Sequence, residues 1–318
     1  MTIRRRDIII SGALAGALAF ASGPVFADEF KAAIVMPGNI TDQSWNQTGY
    51  EGIMRAKETL GIVVAYSEKV TQPDQLEAMS DYARRGYNVV IGHGGEFVDA
   101  AERASERFPD TMFVVTNGFV SKDNLASVTF DFKQFGYVLG FLGGKMSKAG
   151  TGGYVSAQKI QVATDLEAGF KEGFQSVHPD AEIFVSYTND WDDVAKAKEA
   201  ARNQFDEGAD VVFPLLDNGQ IGALQAAKEA GGWSFGVWQD VYENWPDTVL
   251  QSAVMDFRIA LVDFLALAKD GKAEGKVYKF GIGTDAGTLG TYNPSIPEDV
   301  VNETEAVIEK LKSGELKL

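Results

Sequence analysis

The 318-residue chain contains no cysteine and only two histidines, His93 and His178. Without cysteine there is no disulfide, no thiol nucleophile and no thiolate metal ligand, so the fold must rest on its core. Lipid attachment through an N-terminal cysteine is excluded as well. Two histidines give no pair at metal-ligand spacing, and no metal is expected. His178 precedes Pro179 at a helix end and reads as a surface residue. Positive charge is scarce too: 29 Lys and Arg stand against 45 Asp and Glu, for a net charge of −16. That balance repels nucleic acid and anionic lipid surfaces, so neither is an expected partner. The uncharged run at 8–21 is about 14 residues long, short of the roughly 20 that span a ~30 Å hydrocarbon core.

That run has another reading. Arg4, Arg5 and Arg6 precede it, and Val25-Phe26-Ala27 puts small residues at −3 and −1 before Asp28. A basic start, an apolar stretch and a small-residue cleavage site make an export signal over residues 1–27. Arg5-Arg6-Asp7-Ile8-Ile9 has the form of a twin-arginine signal, and a general secretory signal fits equally. Removing three arginines and one aspartate with the signal leaves 26 basic and 44 acidic groups. The expected product is a soluble, unlipidated periplasmic protein. About 290 residues exceed the usual size of one domain, which favours two.

Beyond the signal, short apolar runs alternate with helical patterns. Strands are expected at 31–36, 62–66, 88–91 and 112–115, with helices at 45–60, 73–85 and 98–108 between them. The cadence restarts near Gly152-Gly153, with strands around 154–155, 183–187, 210–213 and 235–238 and helices at 163–177, 192–207 and 221–230. Fully apolar strands separated by helices argue for parallel sheets. Two series argue for an α/β fold of two doubly wound domains joined by a multi-strand hinge. The first bridge falls near 128–132. A helix at 134–147 then carries Gly136, Gly140, Gly143 and Gly144, which points to close packing against a neighbour. The expected lobes are 28–131 plus 254–280, and 132–253 plus 281–318.

In open α/β sheets, ligands bind beyond the carboxyl ends of the strands. That rule selects the loops 37–46, 92–96, 116–118, 157–159, 188–191, 215–219 and 239–240. Trp45, Trp191 and Trp238 fall at strand exits or helix starts. A tryptophan there either fills a gap under a loop or offers a flat face, and three beside Asn and Asp suit a planar heterocycle. Asp42, Asp217 and Asp240 suit hydroxyl or amine donors and disfavour phosphates and carboxylates. Tyr50, Asp131 and Asn218 complete the candidate set. His93 either contacts a polar ligand or satisfies a backbone group. Enzyme patterns are incomplete. Gly92-His-Gly-Gly95 has the form of an oxyanion-hole loop, but no Gly-x-Ser-x-Gly accompanies it. Gly281-Ile-Gly283 and Gly150-Thr-Gly152-Gly153 read as turns. Asp192-Asp193 opens a helix and reads as a cap.

Asp42-Gln-Ser-Trp-Asn-Gln-Thr-Gly-Tyr-Glu-Gly52 resembles the N-terminal signature of the basic membrane protein family, the PnrA-like substrate-binding proteins of ABC importers. Gly136 to Gly144, Asn189-Asp-Trp-Asp-Asp193, Gly208-Ala-Asp-Val-Val-Phe213 and Gly236-Val-Trp-Gln-Asp240 agree in order along the chain. The resemblance implies a type I periplasmic-binding-protein fold, capture of a purine nucleoside or base, and delivery to permease subunits in the inner membrane. It implies base or sugar hydrogen bonds from Asp42 and Asn46, an aromatic wall from Trp45 with Tyr50, and ribose contacts from Asp240. Trp238 departs from the family pattern by replacing an acid. The expected protein is a monomeric receptor with no enzymatic activity and no cofactor. Two rivals stay open: a periplasmic nucleoside-processing enzyme, and a sensory receptor of the same fold.

Overall fold

A computed structural model describes residues 29–41 and 45–318. The expected export signal, 1–27, and Asp42 lie outside the described residues. The chain builds two six-stranded sheets, each flanked by helices. The first, the N-lobe sheet, takes β1 (Lys31–Val35), β2 (Val63–Ser67), β3 (Val89–His93), β4 (Met112–Thr116) and β5 (Leu125–Phe130). Between them run α1 (Trp45–Leu60), α2 (Gln75–Arg84) and α3 (Val98–Arg107). After β5 the chain crosses into the second lobe. There α4 (Phe132–Met146), β6 (Thr151–Ser156), α5 (Gln161–Gln175), β7 (Glu182–Tyr187), α6 (Val194–Asp206), β8 (Val211–Leu215), α7 (Gln220–Ala230), β9 (Trp233–Val237) and β10 (Val249–Met255) follow. It returns through α8 (Phe257–Lys269) and β11 (Val277–Phe280), then crosses again to β12 (Gly287–Leu289) and α9 (Glu298–Ser313).

The strand orders are 11-5-4-3-1-2 in one sheet and 12-10-9-8-6-7 in the other. All pairings are parallel except that of β12 with β10. The reason is visible in the strands. β3, β5 and β8 are buried at every position, as a strand covered by helices on both faces must be. Both sheets reverse strand order beside their first strand, between β1 and β3 and between β6 and β8. Those switch points are where doubly wound sheets open a crevice at the strand ends.

Two of the crossings share a device. Asp131 and Asp256 each end a strand and cap the helix that follows, accepting from the Gln134 and Arg258 amides at 3.4 and 2.8 Å. Their own amides donate to Phe280 and Ala286 across the crossings. The glycine-rich helix α4 packs on α5 at backbone distance. A Cβ at Gly136 or Gly140 would meet the carbonyl oxygens of Leu166 and Phe170, and one at Gly169 or Gly173 would meet those of Lys133 and Tyr137. Among the described residues no helix is long and apolar enough to cross a membrane.

Candidate functional site

The facing loops at the strand ends put two indoles in contact. Trp45 is the first residue of α1 in the N-lobe, and Trp238 follows β9 in the C-lobe. Their ring centroids are 5.7 Å apart at an interplanar angle of 57°. Each ring is fixed from behind by its own lobe. Trp45 lies parallel to the His93 imidazole at 4.1 Å and meets the Phe257 edge at 5.0 Å. Its Nε1 donates to the His93 carbonyl at 3.4 Å, while His93 Nε2 stands 2.9 Å from the Trp45 carbonyl. A carbonyl only accepts, so Nε2 carries the proton. In the neutral ring Nδ1 then accepts from the Thr116 hydroxyl 3.0 Å away. Trp238 donates from Nε1 to the Leu216 carbonyl at 3.2 Å and rests on the Phe132 edge. Its φ is +71°, a left-handed conformation that a bulky side chain rarely adopts. Both indole N–H groups are thus engaged at home, and the ring faces are what the cleft is offered.

Two cavities adjoin this pair. One, of about 330 Å³, is walled by loops after β1, β3 and β4 of one sheet and β6, β7, β8 and β9 of the other. They contribute Gly38, Asn46, Glu96, Asn117, Ile160, Trp191, Asp192 and Asp217 beside the two indoles. The second, of about 360 Å³, lies on the side facing α7 and the β10–α8 crossing, with Thr48, Asn218, Gln220, Ile221, Trp245 and Arg258 among its walls. Among the described residues, the first holds three carboxylates and no Lys or Arg. In the second, the Arg258 guanidinium is occupied by Asp256, at 2.7 and 2.9 Å, and by Glu51 at 3.3 Å. The lining is therefore acidic, and it favours ligands that donate hydrogen bonds over anions. Crowding by the cleft walls pushes the Glu96 carboxyl above its ordinary range, although its side chain keeps open surface.

Of the residues expected from the sequence, Trp45, Asn46, Trp191, Asp217, Asn218 and Trp238 line one or both cavities. Asn46 also accepts from the Gly38 amide at 2.8 Å, which pins the loop after β1. Four others stand elsewhere. His93 is fully buried and braces Trp45 from beneath. Tyr50 packs edge-on against Tyr66 of β2 at 4.9 Å, because five residues of helix turn it about 140° away from Trp45. Asp131 caps α4 and lies 3.4 Å from Lys279 of β11. Asp240 clamps the loop after β12: its carboxylate accepts from the Thr291 amide and hydroxyl at 2.8 and 2.7 Å, from the Tyr242 amide and from the Ser252 hydroxyl. Partial burial opposes ionisation of Asp240, but those bonds outweigh it and hold the carboxyl below the usual range.

Sequence reasoning missed Glu96, Asn117, Ile160, Asp192 and Gln220 as cavity walls. The first three sat in or beside loops it selected, where nothing ranked one residue over its neighbours. Asp192 was read with Asp193 as a cap. Asp193 does cap α6, accepting from Ala195 and Lys196, whereas Asp192 faces the cavity and accepts from the Asn218 amide at 3.3 Å.

Residues 30–318 match the family model described as ABC transporter substrate-binding protein PnrA-like. The chain is 30% identical over 288 residues to a Bacillus subtilis protein named transcriptional activator protein med, covering 90% of each chain. A purine-binding protein of Brucella abortus is 26% identical over 92% of this chain and 84% of its own. An ABC transporter nucleoside-binding protein of Lactococcus lactis is 28% identical, over 86% and 81%. The match runs from the first strand to the last residue, and the chain belongs to the PnrA-like family of ABC transporter substrate-binding proteins.

Proposed function

We propose that this protein is the periplasmic receptor of an ABC importer, capturing a purine nucleoside or base between its lobes and handing it to the permease. The observation that carries the reading is the meeting of two indoles from opposite lobes over an acid-lined cavity with no available cation. Aromatic faces stack on any nucleobase, with a gain of roughly 1–3 kcal/mol per base. Asp217, Asp192 and Asn46 among its walls are acceptors of the kind suited to a sugar's hydroxyls or an exocyclic amine. The two lobes, divided at the crossings after β5, β10 and β11, close on the solute by rotation about those crossings. The names of the purine-binding and nucleoside-binding relatives agree with this ligand class.

Residues 1–27 direct export, and the mature protein acts as a soluble monomer that breaks no bond. Isothermal titration with adenosine, guanosine, inosine and their bases tests the ligand: saturable heat is expected from at least one. Silence from all of them, against clear heat from a sugar or an amino acid, rejects it. Incubation with inosine is expected to release no hypoxanthine, and release at a catalytic rate would make the protein an enzyme.

A further inference from the structure

We infer that lobe closure turns on an axis through Asp131 and Asp256, and that residues 283–285 of the third crossing are a folded reserve of chain that lengthens as the lobes part. This rests on the reading above that the lobes close on a solute, and it places the backbone that moves.

The three crossings are not alike. In the first, one residue, Asp131, stands between the end of β5 and the start of α4; in the second, one residue, Asp256, stands between β10 and α8. Their backbones nearly coincide, at φ −82°, ψ 75° and at φ −91°, ψ 96°. Each carboxylate caps its own helix, so each crossing joins strand to helix with no spare chain. Two such points define an axis. The third crossing has residues 281–286 between β11 and β12, and it is tied to both points. The Asp131 amide donates to the Phe280 carbonyl at 2.9 Å, and the Asp256 amide to the Ala286 carbonyl at 2.8 Å. Gln134 adds a third tie. A cap residue followed three positions later by glutamine is the pattern of a capping box, in which the glutamine reaches back to the cap amide. Here Phe280 has taken that amide, and Gln134 Oε1 accepts from the Ile282 amide instead, at 3.2 Å.

Between these ties the chain is folded rather than drawn straight. Ile282 and Ala286 are buried, whereas Gly283, Thr284 and Asp285 are exposed. The Gly283 amide donates to the Gly287 carbonyl at 2.7 Å, and the Thr284 hydroxyl to the Gly281 carbonyl at 2.8 Å, which closes the segment into a bulge. A crossing that lies off the axis must change its span when the lobes rotate. A fully extended strand, at about 3.3–3.6 Å per residue, has no length left to give, and the bulge has. With the indoles in contact, the bulge holds Gly283 at φ +84°, a conformation that strains any other residue. Drawing the bulge out returns Gly283 to ordinary φ.

The chain has no cysteine, so spin labels can be placed without background thiols. Labels on Gln72→Cys and Lys159→Cys, exposed positions on the two lobes, report lobe separation in the full mature protein by pulsed electron resonance, with and without adenosine. Gly283→Ala penalises the bulge through φ, since the methyl group meets only the exposed Lys312 side chain. It is expected to shift the solute-free distribution to longer separations and to weaken adenosine tenfold or more. Gln134→Met, which removes the tie to Ile282, is expected to shift the distribution in the same direction. Gly231→Ala is the control: it carries a similar penalty, at φ +66°, beyond the end of α7 with no atom near the added methyl. It is expected to melt lower, as Gly283→Ala does, and to keep wild-type separations and adenosine affinity within twofold. Solute-free distributions of Gly283→Ala and Gln134→Met that match the wild type overturn the inference, and so does an equal shift in Gly231→Ala. Failure of every purine to bind rejects the purine reading alone, because the solute-free separations of the variants still decide how the lobes are hinged.

Discussion

In the N-lobe, Trp45 opens a helix, exchanges hydrogen bonds with His93, and is pressed between a buried imidazole and the Phe257 edge. In the C-lobe, Trp238 follows a strand at φ +71° and is held by one bond to Leu216 and an edge contact with Phe132. The helices behind the two rings differ in the opposite sense. α1 and α8 of the N-lobe pack less closely, with the Leu261 side chain, the Phe257 carbonyl oxygen and the Arg258 Cα 3.0–3.3 Å from where a Cβ at Gly52 would stand. α4 and α5 of the C-lobe meet backbone to backbone. One lobe thus has a tolerant scaffold and a clamped ring, the other an intolerant scaffold and a strained ring. Under the proposed closure on a solute, Trp45 would be the reference wall and Trp238 the wall that adjusts.

The largest expected effect separates the scaffolds. Gly140→Ala gains about 1 kcal/mol of helix propensity but drives a methyl group into the Phe170 carbonyl, so the α4–α5 pair must part. Unfolding free energy is expected to fall by about 2–3 kcal/mol in a denaturant titration. Gly52→Ala brings its methyl group to 3.0–3.3 Å from Leu261, the Phe257 carbonyl and the Arg258 Cα, a milder crowding that the same propensity gain offsets. Its stability is expected to stay within about 1 kcal/mol of wild type. Equal losses in the two variants would show that the scaffolds do not differ.

The rings come next. Trp45→Ala removes a stacking face worth about 1–3 kcal/mol for a nucleobase. It also strips the His93 brace of its partner, so affinity for adenosine and unfolding free energy are both expected to fall. Trp238→Asn removes a similar face but puts a residue tolerant of positive φ at a strained position, where relief of about 1–3 kcal/mol works against the lost packing. Its affinity is expected to fall as far, with stability changed by less than about 1 kcal/mol. Calorimetric titration and thermal melts of the two variants together decide the matter. Parallel loss of stability in both would end the claim that one wall is clamped and the other strained.

What the sequence made legible follows the same divide between local and distant causes. Apolar runs of about five residues between amphipathic helices are local, and they announce parallel sheets whatever the rest of the chain does. Trp45 at a helix start and Trp238 at a strand exit are also local, and both rings reach the cleft. The placement of Tyr50 had a cause that was legible: its helical phase sets it against Tyr66 of β2. The partners that hold Asp240 and Asp131 had causes that were not legible. The groups that occupy Asp240 include Thr291, 51 residues onward, delivered by a short antiparallel strand whose pattern stood out from nothing around it. Asp131 meets Lys279, brought alongside by the parallel pairing of β11 with β5. An acid at a strand end reads as available for a ligand until the topology shows which other loop has claimed it. Glu96 is the converse case, an acid in a selected loop whose carboxylate meets, among the described residues, only its own backbone amide.

Those two acids give the smallest and most specific contrast, because their shifts have opposite signs. Asp240 is held below its ordinary range by hydrogen bonds to the ionised form. Its contribution to stability is present above the unfolded value of about 4 and is lost as pH falls through the folded value. Asp240→Asn should therefore trail the wild type near neutrality and approach it in acid. Glu96 is shifted upward by crowding, which penalises its charge. The folded protein keeps that proton to higher pH than the unfolded chain does, so stability declines as pH rises from the ordinary glutamate value, about 4.3, through the folded one. Glu96→Gln should match the wild type in acid and exceed it at neutral pH. Thermal melts of both variants between pH 3 and 8 are expected to give difference curves of opposite sign. A ribonucleoside whose hydroxyls satisfy the ionised Glu96 would draw its pKa back down, so saturating adenosine should erase the advantage of Glu96→Gln and leave the Asp240→Asn curve where it was. If adenosine instead moved the Asp240→Asn curve and spared that of Glu96→Gln, the acid that serves the solute would be the clamp of the C-lobe, and the roles given to the two loops would have to be exchanged.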